Sequence, residues 1–114
     1  MRFYAKTSVL LLLTTCWSVV RTYGAENVTI DQKDKSFMYQ GAQIASLSVK
    51  IGDTVNFMNM DSFFHNVFSL SDTKMFDLGT YPQGDFRSVT FDKRGQVEVE
   101  CAIHPMMHMV VEVK

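Results

Sequence analysis

The stretch Gln96-Val97-Glu98-Val99-Glu100-Cys101, running on into Ala102-Ile103-His104-Pro105-Met106-Met107, decides how the chain is read. Its first half alternates apolar and charged residues with period two, the pattern of a half-buried strand. Successive side chains of a strand point to opposite faces, so Val97, Val99 and Cys101 share one face and Glu98 and Glu100 the other. The valine face is the core face. Cys101 therefore points inward at the strand's end, where the sheet opens into loops.

Working outward, the same period recurs in short pieces rich in strand-favouring residues. Val28–Ile30, Phe37–Tyr39, Ile44–Val49, Thr54–Phe57, His65–Leu70, Phe86–Phe91 and Val110–Val113 each read as strands, and Lys50-Ile51-Gly52-Asp53 as a turn. Ser71 to Asp85 shows no clear period and contains Asp77, Gly79, Pro82 and Gly84. It reads as a long loop holding one irregular strand or a short helix at most. Seven to eight short strands predict an all-β chain folded as an antiparallel Greek-key β-sandwich.

The 114 residues make one domain on size. Arg2 and Lys6 followed by Val9–Leu13 and Cys16–Val20 have the form of an export signal. Thr14, Thr15, Ser18 and Arg21 interrupt a stretch already short for a membrane span. Small residues at Thr22 and Gly24 set cleavage after Gly24, giving a leader of 1–24 and a domain of 25–114. An uncleaved anchor, or a lipid on Cys16, are the other fates this segment allows.

Three of the 11 basic residues leave with the leader and all 12 acidic ones stay, so the domain carries a net charge of −4. A nucleic-acid partner, which wants a basic footprint, is excluded. Of the two cysteines only Cys101 remains. It cannot form an internal disulfide. A lone thiol in an exported protein is free, bridged to another chain, or a metal ligand.

Its neighbours favour the metal. His104 follows Cys101 by three, Met107 by six, and His65 lies upstream in Phe63-Phe64-His65-Asn66-Val67. One thiolate, two imidazoles and a weak thioether form the ligand set of a mononuclear copper site that exchanges one electron. A dinuclear copper centre needs two cysteines in one loop, and structural zinc usually takes several. No catalytic triad or phosphate loop is present, so no enzyme is expected.

The Cys101-x-x-His104-Pro105-x-Met107 run resembles the copper loop of the cupredoxins, in particular amicyanin and plastocyanin-like proteins. The resemblance extends to Lys50–Phe57, to Asn59, Asp61 and His65-Asn66-Val67, to Phe86–Phe91 and to Lys93-Arg94-Gly95, and so spans residues 28 to 114. It implies the cupredoxin fold, copper bound by His65, Cys101 and His104, and an axial methionine. The distance from Met107 to the last strand matches an amicyanin-like loop, so Met107 is the expected axial ligand, with Met109, at a plastocyanin-like spacing, as the alternative. It further implies that Asn66 braces the ligand loops, and that Pro105 and Met106 belong to an apolar docking patch around His104. The implied role is a periplasmic, monomeric single-electron carrier between redox proteins such as a dehydrogenase and a c-type cytochrome. The alternative is a periplasmic copper chaperone using Met106, Met107, His108 and Met109 as an exposed Cu(I)-binding loop. The remaining methionines, Met38, Met58, Met60 and Met75, read as core filler.

Overall fold

The computed structural model describes residues 24–114, with Thr14 alone before them. Apart from Thr14 and Gly24, the expected leader, 1–24, lies outside the described residues. Ten strands succeed one another without a helix among the described residues: β1 (Asn27–Lys33), β2 (Ser36–Tyr39), β3 (Ala42–Gln43), β4 (Ser46–Val49), β5 (Thr54–Asn59), β6 (His65–Ser71), β7 (Lys74–Tyr81), β8 (Phe86–Thr90), β9 (Gly95–Glu100) and β10 (His108–Val113). They form two five-stranded sheets, ordered β3-β2-β1-β5-β8 and β4-β10-β9-β6-β7. The chain crosses repeatedly from one sheet to the other, as in a Greek-key sandwich.

The all-β sandwich expected from the sequence is what forms. Two details differ. β1 pairs with β5, and β4 with β10, in parallel, so the sheets are mixed rather than wholly antiparallel. The stretch read as a long loop contains the eight-residue strand β7, paired along β6.

A bulge accounts for that second difference. Phe76 and Leu78 lean on the core, but the next inward residue is Tyr81, not Thr80. The shift falls where Gly79 takes φ +72° and the β6 register slips between Asn66 and Phe68. A bulge adds one residue and reverses the parity of the residues beyond it, erasing the period-two signal.

The core lies between the sheets. Val55 and Phe57 of β5, Val67 of β6, Val97 and Val99 of β9, and Val111 and Val113 of β10 are all buried. Phe37 meets Phe57 edge-on at 6.1 Å, and Phe76 meets Phe91 at 6.4 Å. One polar rivet crosses this core. The Tyr81 hydroxyl stands 2.6 Å from Gln32 Oε1 and 3.1 Å from the Phe57 carbonyl, while Gln32 Nε2 donates to the Asn66 carbonyl at 3.4 Å. Burial raises the Tyr81 pKa far above its ordinary value, so the phenol stays protonated and able to donate.

Asp53 secures the end of the sandwich far from the candidate ligands. Its carboxylate accepts from the Glu26 N–H at 3.0 Å and the Lys50 N–H at 2.8 Å. Those two hydrogen bonds hold its pKa below the ordinary carboxylate value, against the opposing effect of burial. The folded chain thus binds its proton less readily than the unfolded one. The stabilisation is complete above the unfolded pKa and vanishes as pH falls through the folded one. Asp53→Ala should cost about 1–3 kcal/mol, the loss of two hydrogen bonds to a charged acceptor. Urea titrations at neutral pH and below pH 4 check this: the gap between variant and parent should close on acidification.

Candidate metal centre

The site is assembled from two pieces of the second sheet. β6 begins at His65, and the turn between β9 and β10 carries Cys101, His104 and Met107. The inward parity of Val97 and Val99 carries on to Cys101, which is buried, as the alternation required. Continuing the β9–β10 register, in which Glu100 faces His108 and Val99 faces Met109, brings Met107 opposite Cys101. The Cys101 N–H indeed donates to the Met107 carbonyl at 3.3 Å, and the Met107 N–H closes the turn on the His104 carbonyl at 2.9 Å.

Three donor atoms converge. His65 Nδ1 is 3.7 Å from Cys101 Sγ, His104 Nδ1 is 3.8 Å from it, and the two nitrogens are 3.2 Å apart. The point equidistant from all three lies about 2.1 Å from each. That agrees with ordinary metal–imidazole lengths of about 2.0–2.1 Å and approaches metal–thiolate lengths of about 2.3 Å. The three donor atoms could hold a first-row metal ion between them.

The tautomer of His65 is set from behind. Asp61 Oδ2 lies 2.7 Å from His65 Nε2, so this nitrogen donates to the carboxylate and Nδ1 is left as a lone pair facing the sulfur. Burial by itself would raise the Asp61 pKa. The hydrogen bond from His65 and the N–H groups of Asp34 (2.7 Å) and Lys35 (3.2 Å) outweigh it and hold the carboxyl below its ordinary value. Asp61 in turn hangs on Asn59, whose Oδ1 accepts the Asp61 N–H at 2.9 Å. Asn59 Nδ2 donates to the carbonyls of Phe63 (2.9 Å) and Tyr81 (3.0 Å). The sequence alone marked Asn59 and Asp61 as part of the family resemblance and assigned neither a role. An acidic residue four before a candidate ligand histidine was the available signal.

The second imidazole stands differently. His104 is half-buried, and its pKa is lowered by burial first, then by the charges of His65 and Lys35, with Asp61 opposing. Asn66 Oδ1 accepts the Ala102 N–H at 2.8 Å, tying β6 to the turn that carries the cysteine and this histidine. Its chain neighbours are apolar and exposed: Ile103 and Met106 are at the surface, Met106 to 94%. A groove of about 440 Å³ runs between Ile103–Met106 and the β1–β2 turn residues Asp34–Ser36.

Met107 and Met109 are both buried, to 1% and 0% exposure. Met107 is level with Cys101. Met109 is one pleat deeper, opposite Val99 and within the valine core. An exposed loop of Met106, Met107, His108 and Met109 therefore does not exist: only Met106 and His108 are at the surface, and His108 opens β10 opposite Glu100. Met60 and Met75, expected as core filler, are exposed as well.

Residues 25–114 match the family of copper binding proteins of the plastocyanin/azurin type. The chain belongs to that family. It is 26% identical over 107 residues to the methylamine utilization protein MauL of Methylorubrum extorquens, covering 93% of this chain and 94% of that one. Among solved structures, a reduced amicyanin variant superposes with a TM-score of 0.67 at 25% identity, covering 81% of this chain and 84% of amicyanin. The copper-containing nitrite reductase of Thermus scotoductus SA-01 also superposes at 0.67 and 25% identity, but the chain spans only 22% of that protein. The family's metal is copper, and the His65–Cys101–His104 triangle could form its type 1 site.

Removing the carboxylate behind His65 should loosen the metal without unfolding the sandwich. Asp61→Ala should weaken copper affinity by about 10–100-fold, the usual effect of losing the group that orients a ligating imidazole. Competition with a chelator of known affinity measures it, with far-UV circular dichroism confirming that the sheets are intact.

Proposed function

We propose that this chain is a periplasmic single-electron carrier whose copper is held by His65, Cys101 and His104, with Met107 as the weak axial ligand. The observation that carries the reading is the donor triangle, with both Nδ1 atoms aimed at one buried sulfur. Copper there would supply a one-electron Cu(II)/Cu(I) couple.

The chain's own residues serve that couple in three ways. Thiolate and imidazole suit both oxidation states, and a ligand frame fixed on strands and a short turn changes little between them. Cys101, His65 and Met107 are buried and exclude water, while His104 reaches the apolar surface of Pro105, Met106 and Ile103, the natural route for an electron. Asn66 holds the two ligand segments together through Ala102. The partner is a redox protein, such as a dehydrogenase or a c-type cytochrome, docking on that surface. On this reading the chain acts as a carrier rather than an enzyme. Export rests on the form of the leader 1–24.

Met107 takes the axial role because it stands across from the thiol, whereas Met109 packs between valines. The chaperone reading needs Met109 at the surface and is the weaker for its burial.

Copper-loaded protein should show intense visible absorption from thiolate-to-metal charge transfer, bleach on reduction and recover on oxidation. Cys101→Ala should abolish the band, and a colourless wild-type copper complex would end this reading. Met107→Ala should alter the spectrum and potential. Met109→Ala should leave both nearly unchanged while costing about 2–5 kcal/mol of stability, as truncation of a buried methionine does.

A further inference from the structure

The two imidazoles present the same atom to the metal but are held by different means. His65 is fully buried and fixed at its far nitrogen by Asp61. His104 lies on a turn, half-exposed, and among the described residues its Nε2 has no hydrogen-bond partner; its polar contacts are through Nδ1 alone. A ligating histidine usually has its second nitrogen held by a carboxylate, a carbonyl or water, and at His104 no protein group among the described residues does so. The protein's own hold on the His104 ring must come from elsewhere.

That something is an aromatic wedge. The Phe63 ring lies 5.1 Å from the His104 ring, tilted by 55°, and 5.3 Å from the His65 ring at 65°, touching both imidazoles at once. Such offset or edge contacts between rings contribute about 0.5–1.5 kcal/mol beyond burial. The wedge is itself secured on two sides. Its carbonyl is held by the buried Asn59, and Lys35 Nζ sits 5.6 Å from its ring centroid, within cation–π range. Lys35 is anchored in turn, because its N–H donates to Asp61. One carboxylate thus orients His65 directly and helps secure the wedge beside His104.

We propose that Phe63 is the positioning residue for His104, doing with a ring face what Asp61 does for His65 with a hydrogen bond. The proposal rests on the copper reading above for its consequence, but the ring contact can be tested without metal. Phe63 is partly exposed, so Phe63→Ala should fold; thermal melts verify this.

In metal-free protein, side-chain NMR relaxation should show greater motion of the His104 ring in Phe63→Ala, with the Asp61-held His65 ring little changed. In copper-loaded protein the same variant should alter the electron paramagnetic resonance spectrum and release Cu(I) to a chelator faster, by about tenfold, the lower end expected for a lost orienting contact. Phe63→Trp, which keeps an aromatic face, should restore the His104 ring order and the slow release. Two results would overturn the proposal: unchanged His104 ring order in Phe63→Ala, or equal loosening of both rings together with a lowered melting point. A wild-type protein that binds no copper at Cys101 would sink the electron-carrier reading instead, and the metal-free measurement would still decide the role of Phe63.

Discussion

A carboxylate can sit at 7% exposure only if its oxygens are met by donors, and the position of Asp61 obeys that requirement. Its three donors come from two places: the N–H groups of Asp34 and Lys35 in the β1–β2 turn, and the ring of His65 at the head of β6. The turn belongs to the first sheet and His65 to the second. The same buried charge therefore closes a hairpin, joins the two layers at one end of the sandwich and orients the His65 ring. Asp34 and Lys35 both have positive φ, a conformation costing L-residues about 1–2 kcal/mol each, and the carboxylate offsets that cost by capping their amides.

Around this centre the candidate ligands divide between one at the head of a strand and a set on one turn. His65 is immobilised by strand, carboxylate and neighbouring ring. Cys101, His104 and Met107 share one tight turn whose internal hydrogen bonds run from Cys101 to Met107 and from Met107 to His104. Asn66 is the stitch between the two groups. Burial respects the same division, sealed at His65 and the sulfur and partly open at His104.

Much of this was legible in the chain. The period-two alternation of β9 fixed the inward direction of Cys101, because parity along a strand survives any uncertainty about its ends. The spacing of His104 and Met107 from Cys101 brought out the metal reading for the same reason: over six residues little conformational freedom remains. What could not be read were features that depend on distant partners. β7 was hidden because Gly79 breaks its alternation. The β1–β2 hairpin was hidden because Asp34-Lys35 is not a turn pair that sequence favours; its conformation is held from outside by Asp61. For Met107 against Met109, the loop length to the last strand already favoured Met107, and the cross-strand register, with Met109 opposite Val99, adds a second reason.

The bulge at Gly79 has a reach out of proportion to its size. Were β7 to keep a regular pleat, Thr80 would face the interior and Tyr81 the solvent. The phenol would then be absent from the space between the layers, and Gln32 would be left there with its side-chain oxygen unmet. A left-handed backbone angle at one edge-strand residue thus decides whether the Tyr81 phenol joins Gln32 in linking the two sheets.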